Sequence, residues 1–531
     1  MSLAADAPAG VGAARPRGMT ATGLIVIFLG WELAARALAG AYLLAGPTEV
    51  AVYLWQNARL MGRALAETLT NAAAGFVLGN LAAVALAALA LIVPRAERAI
   101  AALALIVFCL PLVATGPILR VVFGPGAGPQ IALAALAVYF TTLVPLLVGL
   151  RAAPAAWFDL VASYGRGRGA ALVHVRAMSA LPYLFAGLQI AAPAAILGAM
   201  VGEFTGAERG MGVLAIQAMR ALDVEATWAL ATLAAVTSIA AYAALGALGR
   251  ALAPEAPPAL LAPPPATQAA GRRWGDQAVH MAVVTAAALA LWQATPWLLG
   301  LNAFFAKGPG DIWAFLVTGA GAAEHRATLG AALGETALYA VPGYLAGLAL
   351  GAGLAMALVL APALATVAMP VAVALRSVPI VTTAPLLVLL MGRGAVGTTV
   401  IVAVMVFFPT FVACLHGLRQ APGQALDVAD SFAAGRLARL VHMQVPAMLP
   451  AFFAAARMAV PAAVLAVTVV EWLATGRGLG ALMALSASLS DYGTLWSCVV
   501  LVAVLSALGY AAVGAAERRV LSVYAAEQLA R

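Results

Sequence analysis

The stretch ETLTNAAAGFVLG at residues 67–79 returns 268 positions later as ETALYAVPGYLAG at residues 335–347. Both stretches open with Glu-Thr and carry glycine at two matching positions. Glycine and proline fix backbone geometry, so matches between them indicate a shared fold rather than a shared composition. The same offset aligns Pro94, Pro111, Pro117, Gly124, Gly126 and Glu203 with Pro362, Pro379, Pro385, Gly392, Gly394 and Glu471. The sequence therefore predicts two copies of one multi-helix unit.

The composition indicates a membrane protein. Hydrophobic residues make up 64% of the chain and charged residues 9%, and the mean hydropathy is +1.01. A soluble domain carries about 25% charged residues. We predict an all-α integral membrane protein with about twelve transmembrane helices, arranged as two parallel six-helix repeats. The predicted spans are 20–39, 68–93, 99–119, 130–150, 181–204 and 226–249 in the first copy, and 278–299, 336–360, 364–390, 397–417, 449–472 and 493–514 in the second.

Four segments follow from these spans. Residues 1–19 form a cytoplasmic tail, 20–250 the first unit, 251–277 a proline-rich cytoplasmic linker and 278–531 the second unit. Arg15 and Arg17 before the first apolar run could also mark a cleavable signal peptide. Because that run is nearer twenty residues than the roughly 7–15 of a signal peptide, an uncleaved first span is favoured.

The charges indicate orientation in a bilayer. The net charge is +8, but the basic residues lie in short loops and form no dense stripe that would suggest nucleic acid. Most of them fall on one side if the N-terminus is cytoplasmic, which predicts a multi-pass protein of the bacterial inner membrane. The segments 47–66 and 309–331 are too polar to cross and are predicted to lie at the outer interface.

Each copy has one long cytoplasmic loop, Arg151 to Ala180 and Leu418 to Met448, followed by Leu-Pro at the start of the fifth span. Both loops contain a short helical stretch that could pass a partner's movement into the next span. A solvated basic loop is the plainer alternative. The candidate coupling residues are Asp159, Ser163, Tyr164, Gly165, Arg166 and Arg168 in the first loop, and Asp427, Asp430, Ser431, Phe432, Gly435 and Arg436 in the second.

These loops resemble the EAA loop in the permeases of binding-protein-dependent ABC importers, in which an acidic-Ala-Ala triplet, a glycine and Leu-Pro follow one another. The proline-rich third spans and the Gly-x-Gly turns after Glu203 and Glu471 resemble the branch that imports nitrate, sulfonates, taurine, bicarbonate and some vitamin precursors. The triplets here are Asp-Leu-Val and Asp-Val-Ala, and the loop glycine is Gly165 in one copy but Ala433 in the other. Family members usually carry one copy per chain and dimerise.

The resemblance implies type I ABC importer transmembrane domains and a translocation pathway for a small polar or anionic solute. It also implies two copies of an ABC ATPase subunit, which would bind ATP and Mg, and an extracytoplasmic substrate-binding protein. The chain itself has no phosphate-binding loop, and its one lysine, Lys307, lies in a Lys-Gly-Pro-Gly stretch. We therefore expect no cofactor, no metal and no ATPase site on this chain.

Polar residues within the predicted spans are candidates for the pathway, because ionisable groups in a membrane usually face a cavity or a partner. Arg376 and Arg457 have Phe108 and Gln189 as repeat partners, which predicts a chemically lopsided cavity. Arg457 could instead pair with a carbonyl or carboxylate, and Arg376 could reach the headgroups. Glu203 and Glu471 are candidates for a gate or a docking contact, with a structural hydrogen bond to the glycine-rich turn as the alternative.

A secondary transporter with two parallel six-span halves is the competing function. Such carriers usually lack matched docking loops inside each half, so the loops favour the importer. No cluster of residues supports a membrane enzyme or scaffold. The sequence leaves the substrate open.

Overall fold

The structure is a computed structural model that describes residues 17–39, 44–93, 96–252, 274–298, 300–361, 391 and 394–524. These residues form helices, turns and loops and no strand, which confirms the all-helical prediction. The helices of the first copy are α1 (Arg17–Ala37), α2 (Pro47–Gln56), α3 (Ala58–Ile92), α4 (Glu97–Phe108), α5 (Leu112–Phe123), α6 (Gly128–Arg151), α7 (Ala155–Ser163), α8 (Arg168–Ala171), α9 (Met178–Phe204), α10 (Met211–Ala221) and α11 (Val224–Leu252).

The second copy repeats this order. Its described helices are α12 (Trp274–Leu298), α13 (Pro309–Trp313), α14 (Ala322–Leu360), α15 (Ala395–Arg419), α16 (Gly423–Ser431), α17 (Arg436–Arg439), α18 (Val445–Val470), α19 (Gly478–Ser488) and α20 (Tyr492–Tyr524). The described part of the chain also has four π-helical turns, at Leu172–Ala177, Ala314–Thr318, Leu440–Gln444 and Glu471–Thr475. The predicted span 364–390, with Arg376, lies outside the described residues.

Among the residues that the structure describes, eight helices are long and apolar enough to cross a membrane. They are Ala58–Ile92, Gly128–Arg151, Gly169–Phe204, Val224–Leu252, Ala322–Leu360, Ala395–Arg419, Arg436–Leu473 and Tyr492–Tyr524. Each contains most of one predicted span. The predicted first spans, 20–39 and 278–299, coincide with α1 and α12.

The prediction of one continuous third span at 99–119 is wrong. The chain forms two helices there, and the break lies between Phe108 and Leu112. Pro111 is the extended residue before α5, with φ −71° and ψ 118°. Pro111 has no N–H to donate to the preceding turn and its ring crowds that turn, which favours the break here, although Pro117 lies inside α5.

The segments 47–66 and 309–331, predicted to lie at the outer interface, are largely helical and run in part into the second spans. α2 and the short α13 with its π-helical turn are separate elements, while α3 begins at Ala58 and α14 at Ala322. α3 has 35 residues and α14 has 39. At about 1.5 Å per residue they are longer than a hydrocarbon core of about 30 Å, so polar turns such as Ala58–Arg63 extend the span beyond it.

The repeated glycines let the second and fourth spans of each copy touch. A Cβ atom at Gly79 would lie 2.6 Å from the Ala135 carbonyl oxygen, and one at Gly347 would lie 2.6 Å from that of Ala403. Small residues at such contacts allow two backbones to approach closely in a membrane. The pattern that aligned the two copies in sequence is therefore a packing pattern.

The two copies also pack against each other. Leu110 and Ile118 of the first copy contact an apolar cluster of the second that includes Leu479 and Met483. Met458 of the second copy packs against a cluster of the first that includes Phe140. The broken third span of the first copy thus lies at the junction between the halves.

Candidate functional site

The helix α7 of the first loop stands free of the bundle. None of its residues is buried, and Tyr164, directly after it, is 76% exposed. Gly165 has φ +67° and donates its N–H to the Ala162 carbonyl at 2.9 Å, while the Arg166 N–H reaches the Val161 carbonyl at 3.2 Å. A left-handed residue with these two bonds is a common way to end a helix and turn the chain sharply.

The second loop has the same backbone. Phe432 follows α16 and is 82% exposed. Ala433 has φ +52°, its N–H reaches the Asp430 carbonyl at 2.9 Å, and the Ala434 N–H reaches the Ala429 carbonyl at 2.9 Å. The left-handed turn therefore forms without the glycine, at a cost of about 1–2 kcal/mol for a side chain in that conformation.

Most of the other candidate coupling residues are exposed. The hydroxyls of Ser163 and Ser431 both donate to carbonyls three residues earlier, at 2.7 Å, so they close the ends of their own helices. The remaining exposed candidates with described side chains are Asp159, Arg166, Asp427, Asp430, Gly435 and Arg436. The side chain of Arg168 lies outside the described part of the chain. The two loops thus present exposed surfaces built on equivalent positions.

Different side chains brace the two loops. In the second, Arg439 pairs with Asp430 at 2.6 Å and donates to the Ala434 carbonyl at 2.9 Å. In the first, the guanidinium of Arg176 lies 5.3 Å from the centre of the Phe158 ring. Neither contact has an equivalent pair in the other copy, since the repeat partners of Arg439 and Asp430 are alanines and those of Arg176 and Phe158 are uncharged.

A π-helical turn joins each loop to the fifth span, at Leu172–Ala177 and at Leu440–Gln444. These turns occupy equivalent positions in the repeat. A π-helical turn inserts an extra residue into the helix and is frequent at functional sites. The fifth spans α9 and α18 therefore begin with the same irregularity, between the exposed loop helix and the buried core.

Glu203 is buried near the other end of α9 and links three elements. One carboxylate oxygen accepts the Thr68 hydroxyl at 2.7 Å and the other accepts the Gly212 N–H at 2.6 Å. The Thr68 oxygen in turn accepts the Met211 N–H at 2.8 Å. A side chain at Gly210 would collide with the Glu203 carboxylate. The network fastens the second span to the turn after the fifth.

The second copy builds the same network around Glu471. Its Oε2 accepts the Thr336 hydroxyl at 3.0 Å and the Gly480 N–H at 2.8 Å, and Thr336 accepts the Leu479 N–H at 2.9 Å. Glu335 adds one bond, accepting the Gly478 N–H at 2.9 Å. Both glutamates thus make the hydrogen bond to the glycine-rich turn that the structural alternative requires. We call these two networks the glutamate clamps.

Arg457 lies against a carboxylate. Its Nε is 3.2 Å from Glu517 Oε2 on α20, and its guanidinium lies 5.6 Å from the centre of the Tyr510 ring. The two charged side chains are only 14% and 10% exposed. In the first copy the matching positions hold Gln189 and Gly249, and Gln189 packs against Gly246.

Phe108 ends α4 and stacks on Phe140, with ring centres 4.3 Å apart. It lies in the first-copy cluster that Met458 joins, next in sequence to Arg457. Phe108 therefore packs at the junction between the copies. Gln189 and Arg457 each face the sixth span of their own copy. The structure does not bring the candidates Phe108, Gln189, Glu203 and Glu471 together into one site.

The sequence family described as the binding-protein-dependent transport system inner membrane component matches this chain twice, at residues 75–256 and 347–522. The two matches fall one in each copy of the repeat and together cover more than half of the chain. The chain belongs to this family. It is an ABC transporter permease with two permease units in one polypeptide, and its helices fit the membrane domain of a type I importer.

Three relatives agree with this assignment. A probable ABC transporter permease of Haemophilus influenzae is 31% identical over 35% of this chain and 77% of its own length. A riboflavin transport system permease of Chloroflexus aurantiacus is 30% identical over 36% of this chain and 72% of its own. A formylaminopyrimidine transport permease of Halalkalibacterium halodurans is 27% identical over 39% and 82%. Each match is about as long as one permease unit.

Sequence reasoning missed several residues of the permease that matter to its structure. Thr68 and Thr336 were visible as repeat matches, but their link to glutamates 135 positions away was not. Glu517 could have been noticed as an acid where the first copy has Gly249. Arg439 and Arg120 carried no repeat signal, because their partners are Ala171 and Val388.

Proposed function

We propose that this permease forms the whole translocation pathway of an ATP-driven importer in the bacterial inner membrane, with a cytoplasmic N-terminus. An extracytoplasmic binding protein delivers a small polar or anionic solute, similar to nitrate, sulfonates and taurine or to vitamin precursors. The observation that carries the proposal is the pair of equivalent exposed helices, α7 and α16, one in each permease unit.

Each of these helices offers one docking surface to one ATPase subunit, so a single chain engages two. The exposed rings of Tyr164 and Phe432 supply apolar area for a protein contact. ATP and Mg bind on those subunits, and this chain supplies no cofactor site and no ATPase chemistry. In each unit a π-helical turn follows the loop helix, α7 or α16, and leads into the fifth span. Movement of the docked subunit reaches the fifth span through this turn.

The names of two relatives support the vitamin-related side of the proposal, since one transports riboflavin and the other formylaminopyrimidine. The nitrate, sulfonate and taurine branch rests on the sequence pattern of the third spans and glycine turns. Arg376, Arg457, Gln189 and Phe108 remain the proposed pathway residues, with Glu203 and Glu471 as proposed gate residues. Arg457 must first leave Glu517 if it is to contact the solute.

Purification of the full chain with its candidate ATPase, followed by reconstitution into liposomes with the binding protein, tests the proposal. We expect two ATPase subunits per chain and uptake that requires ATP and stops with vanadate. A Tyr164→Ser and Phe432→Ser double variant should lose the ATPase, while Leu60→Ser, an exposed residue on α3, should keep it. Family membership does not favour a secondary transporter, and vanadate-insensitive uptake driven by an ion gradient would overturn the ATP-driven mechanism.

Substituted cysteines test the orientation in intact cells, because Cys109, Cys414 and Cys498 are buried and give a low background. A cysteine at Asp159 or Asp427 should be reached by a membrane-impermeant thiol reagent only after the membrane is opened. A cysteine at Glu208 should react at once. The reverse pattern would place the loops outside and exclude the docking role.

A further inference from the structure

Arg120 differs from Arg457 in what its side chain contacts. It lies near the end of α5, the second half of the broken third span, and its side chain is exposed. Arg457 pairs with Glu517, whereas Arg120 makes no ion pair with any acidic residue that the structure describes. Its one hydrogen bond, 3.3 Å to the Thr205 carbonyl, uses a single N–H. A guanidinium has five, so most of its donors remain available.

The position of Arg120 is fixed by its surroundings. Thr205 closes the end of α9, where helix carbonyls lack partners and carry partial negative charge. Gly206, with φ +112°, lies directly beneath the guanidinium, and any side chain there would collide with it. Gly116 on α5 packs equally tightly against Thr205. The arginine is therefore seated on the turn that follows the fifth span.

The helix that carries Arg120 lies between the two permease units. α5 contacts α6 and α9 of its own unit and α18, α19 and α20 of the other. Ile118, two residues away, packs into the apolar cluster of the second unit. The repeat partner of Arg120 is Val388, so the charge is present in one unit only. A fixed, unpaired cation thus lies at the junction, at the end of the bundle away from the coupling loops.

We propose that Arg120 is a specificity-determining residue that binds the anionic group of the solute at the outer mouth between the units. A carboxylate, sulfonate, nitrate or phosphate oxyanion fits it, because a guanidinium offers two parallel N–H groups to two oxygens. The inference rests on the proposed function and names Arg120, in place of the paired Arg457, as the first anion contact. The phosphate of a lipid headgroup could bind a guanidinium in the same way. The test must therefore show whether Arg120 faces a water-filled mouth or the surrounding lipid.

Thiol labelling of the full chain in nanodiscs reads the local charge without knowledge of the solute. Phe123 is 55% exposed and lies one turn from Arg120, so Phe123→Cys places a thiol beside it. We compare its reaction with anionic sulfonatoethyl and cationic trimethylammonioethyl methanethiosulfonate. At low salt, the rate with the anionic reagent divided by the rate with the cationic reagent should be roughly tenfold higher when Arg120 is present than in the Arg120→Gln variant.

Arg120→Lys should keep this preference and Arg209→Gln, on the exposed turn after α9, should not change it. The proposal would be overturned if the ratio of anionic to cationic reaction rates were the same with Arg120 and with Arg120→Gln. So would a thiol that neither charged reagent reaches, since Arg120 would then face lipid.

Uptake in the reconstituted importer provides the second measurement. For the solute that the wild-type complex imports, Arg120→Gln should raise KM about tenfold, and Arg209→Gln should leave KM unchanged. An unchanged KM in Arg120→Gln would overturn the role in specificity. Failure of the wild-type complex to import with ATP would count against the proposed function instead, and the labelling ratio would still decide the charge at the mouth.

Discussion

The glutamate clamps and the coupling loops repeat in different ways. In the clamps the two copies share both the backbone and the side chains, since Glu203 with Thr68 and Glu471 with Thr336 make matching bonds. In the loops they share the backbone and the hydrogen bonds of Ser163 and Ser431, but the braces Arg439–Asp430 and Arg176–Phe158 differ. An unpaired polar group is costly in a buried site, so both halves keep the bonds to the threonine and the glycine-rich turn, although Glu471 Oε1 has no hydrogen-bond partner among the described residues. Exposed loops tolerate several arrangements.

The clamps give the largest expected effect. Glu471→Ala leaves the Gly480 N–H without its acceptor in a buried site and the Thr336 hydroxyl with only the Ala332 carbonyl, which should cost about 3 kcal/mol of unfolding free energy. Glu203→Ala should cost about as much, because Glu203 accepts from the matching threonine and glycine. Thermal unfolding in nanodiscs measures both. Glu208→Ala, exposed on the same turn as the first clamp, is the control, and a loss confined to one copy would break the equivalence.

The ion pair of the second copy comes next. Arg457→Gln leaves Glu517 unpaired in a nearly buried position and should cost about 2 kcal/mol. Adding Glu517→Gly gives the second copy the first copy's residues, Gln and Gly, and should recover part of that loss. A double-mutant cycle on unfolding measures the coupling between the two residues. Strictly additive losses would show that the pair contributes nothing as a pair.

The brace of the second loop should matter less, because Arg439 and Asp430 are both partly exposed. Arg439→Ala should cost about 0.5–1 kcal/mol. It should also lower the ATP-dependent uptake more than it lowers ATPase binding, since the loop helix would move independently of the fifth span. Arg419→Ala, which changes an exposed arginine at the end of α15, is the matched control. Equal effects of the two variants would argue against the brace.

The smallest expected effect concerns the left-handed turns at Gly165 and Ala433, where the two loops differ by one side chain. Ala433→Gly removes a side chain from a left-handed position and should stabilise the second loop by about 0.5 kcal/mol, after the entropy cost of glycine. Gly165→Ala should destabilise the first by a similar amount. Hydrogen exchange of the loop amides measures both, with Ala434→Gly as the control. Stabilisation by Ala434→Gly as large as by Ala433→Gly would show that the turn is not the cause.

The sequence was sufficient for the features that follow from periodicity and repetition. The two copies, eight of the predicted long apolar helices and the short loop helices after Arg151 and Arg419 form as predicted. Repeat matches also located the glycines that let the second and fourth spans touch. These features depend on residues within one or two helical turns, or on two similar stretches that must pack in the same way.

Pairings across the fold could not be read from one sequence. Pro111 was noted, but whether it kinks or splits the third span depends on the packing around it. Arg457 and Glu517 are separated by 60 positions, and Thr68 and Glu203 by 135. Nothing local connects such residues. Only the three-dimensional contact shows that Arg457 is neutralised by a carboxylate while Arg120 is not.

The union of two unequal halves in one polypeptide also determines how the complex is assembled. Translation delivers them in a one-to-one ratio, so a mispaired transporter made from two identical halves cannot arise within a chain. The Arg457–Glu517 pair is therefore present once in every molecule. A single substitution, or a single fluorescent dye, then marks one half alone, and the docking proposed for α7 can be observed separately from that proposed for α16.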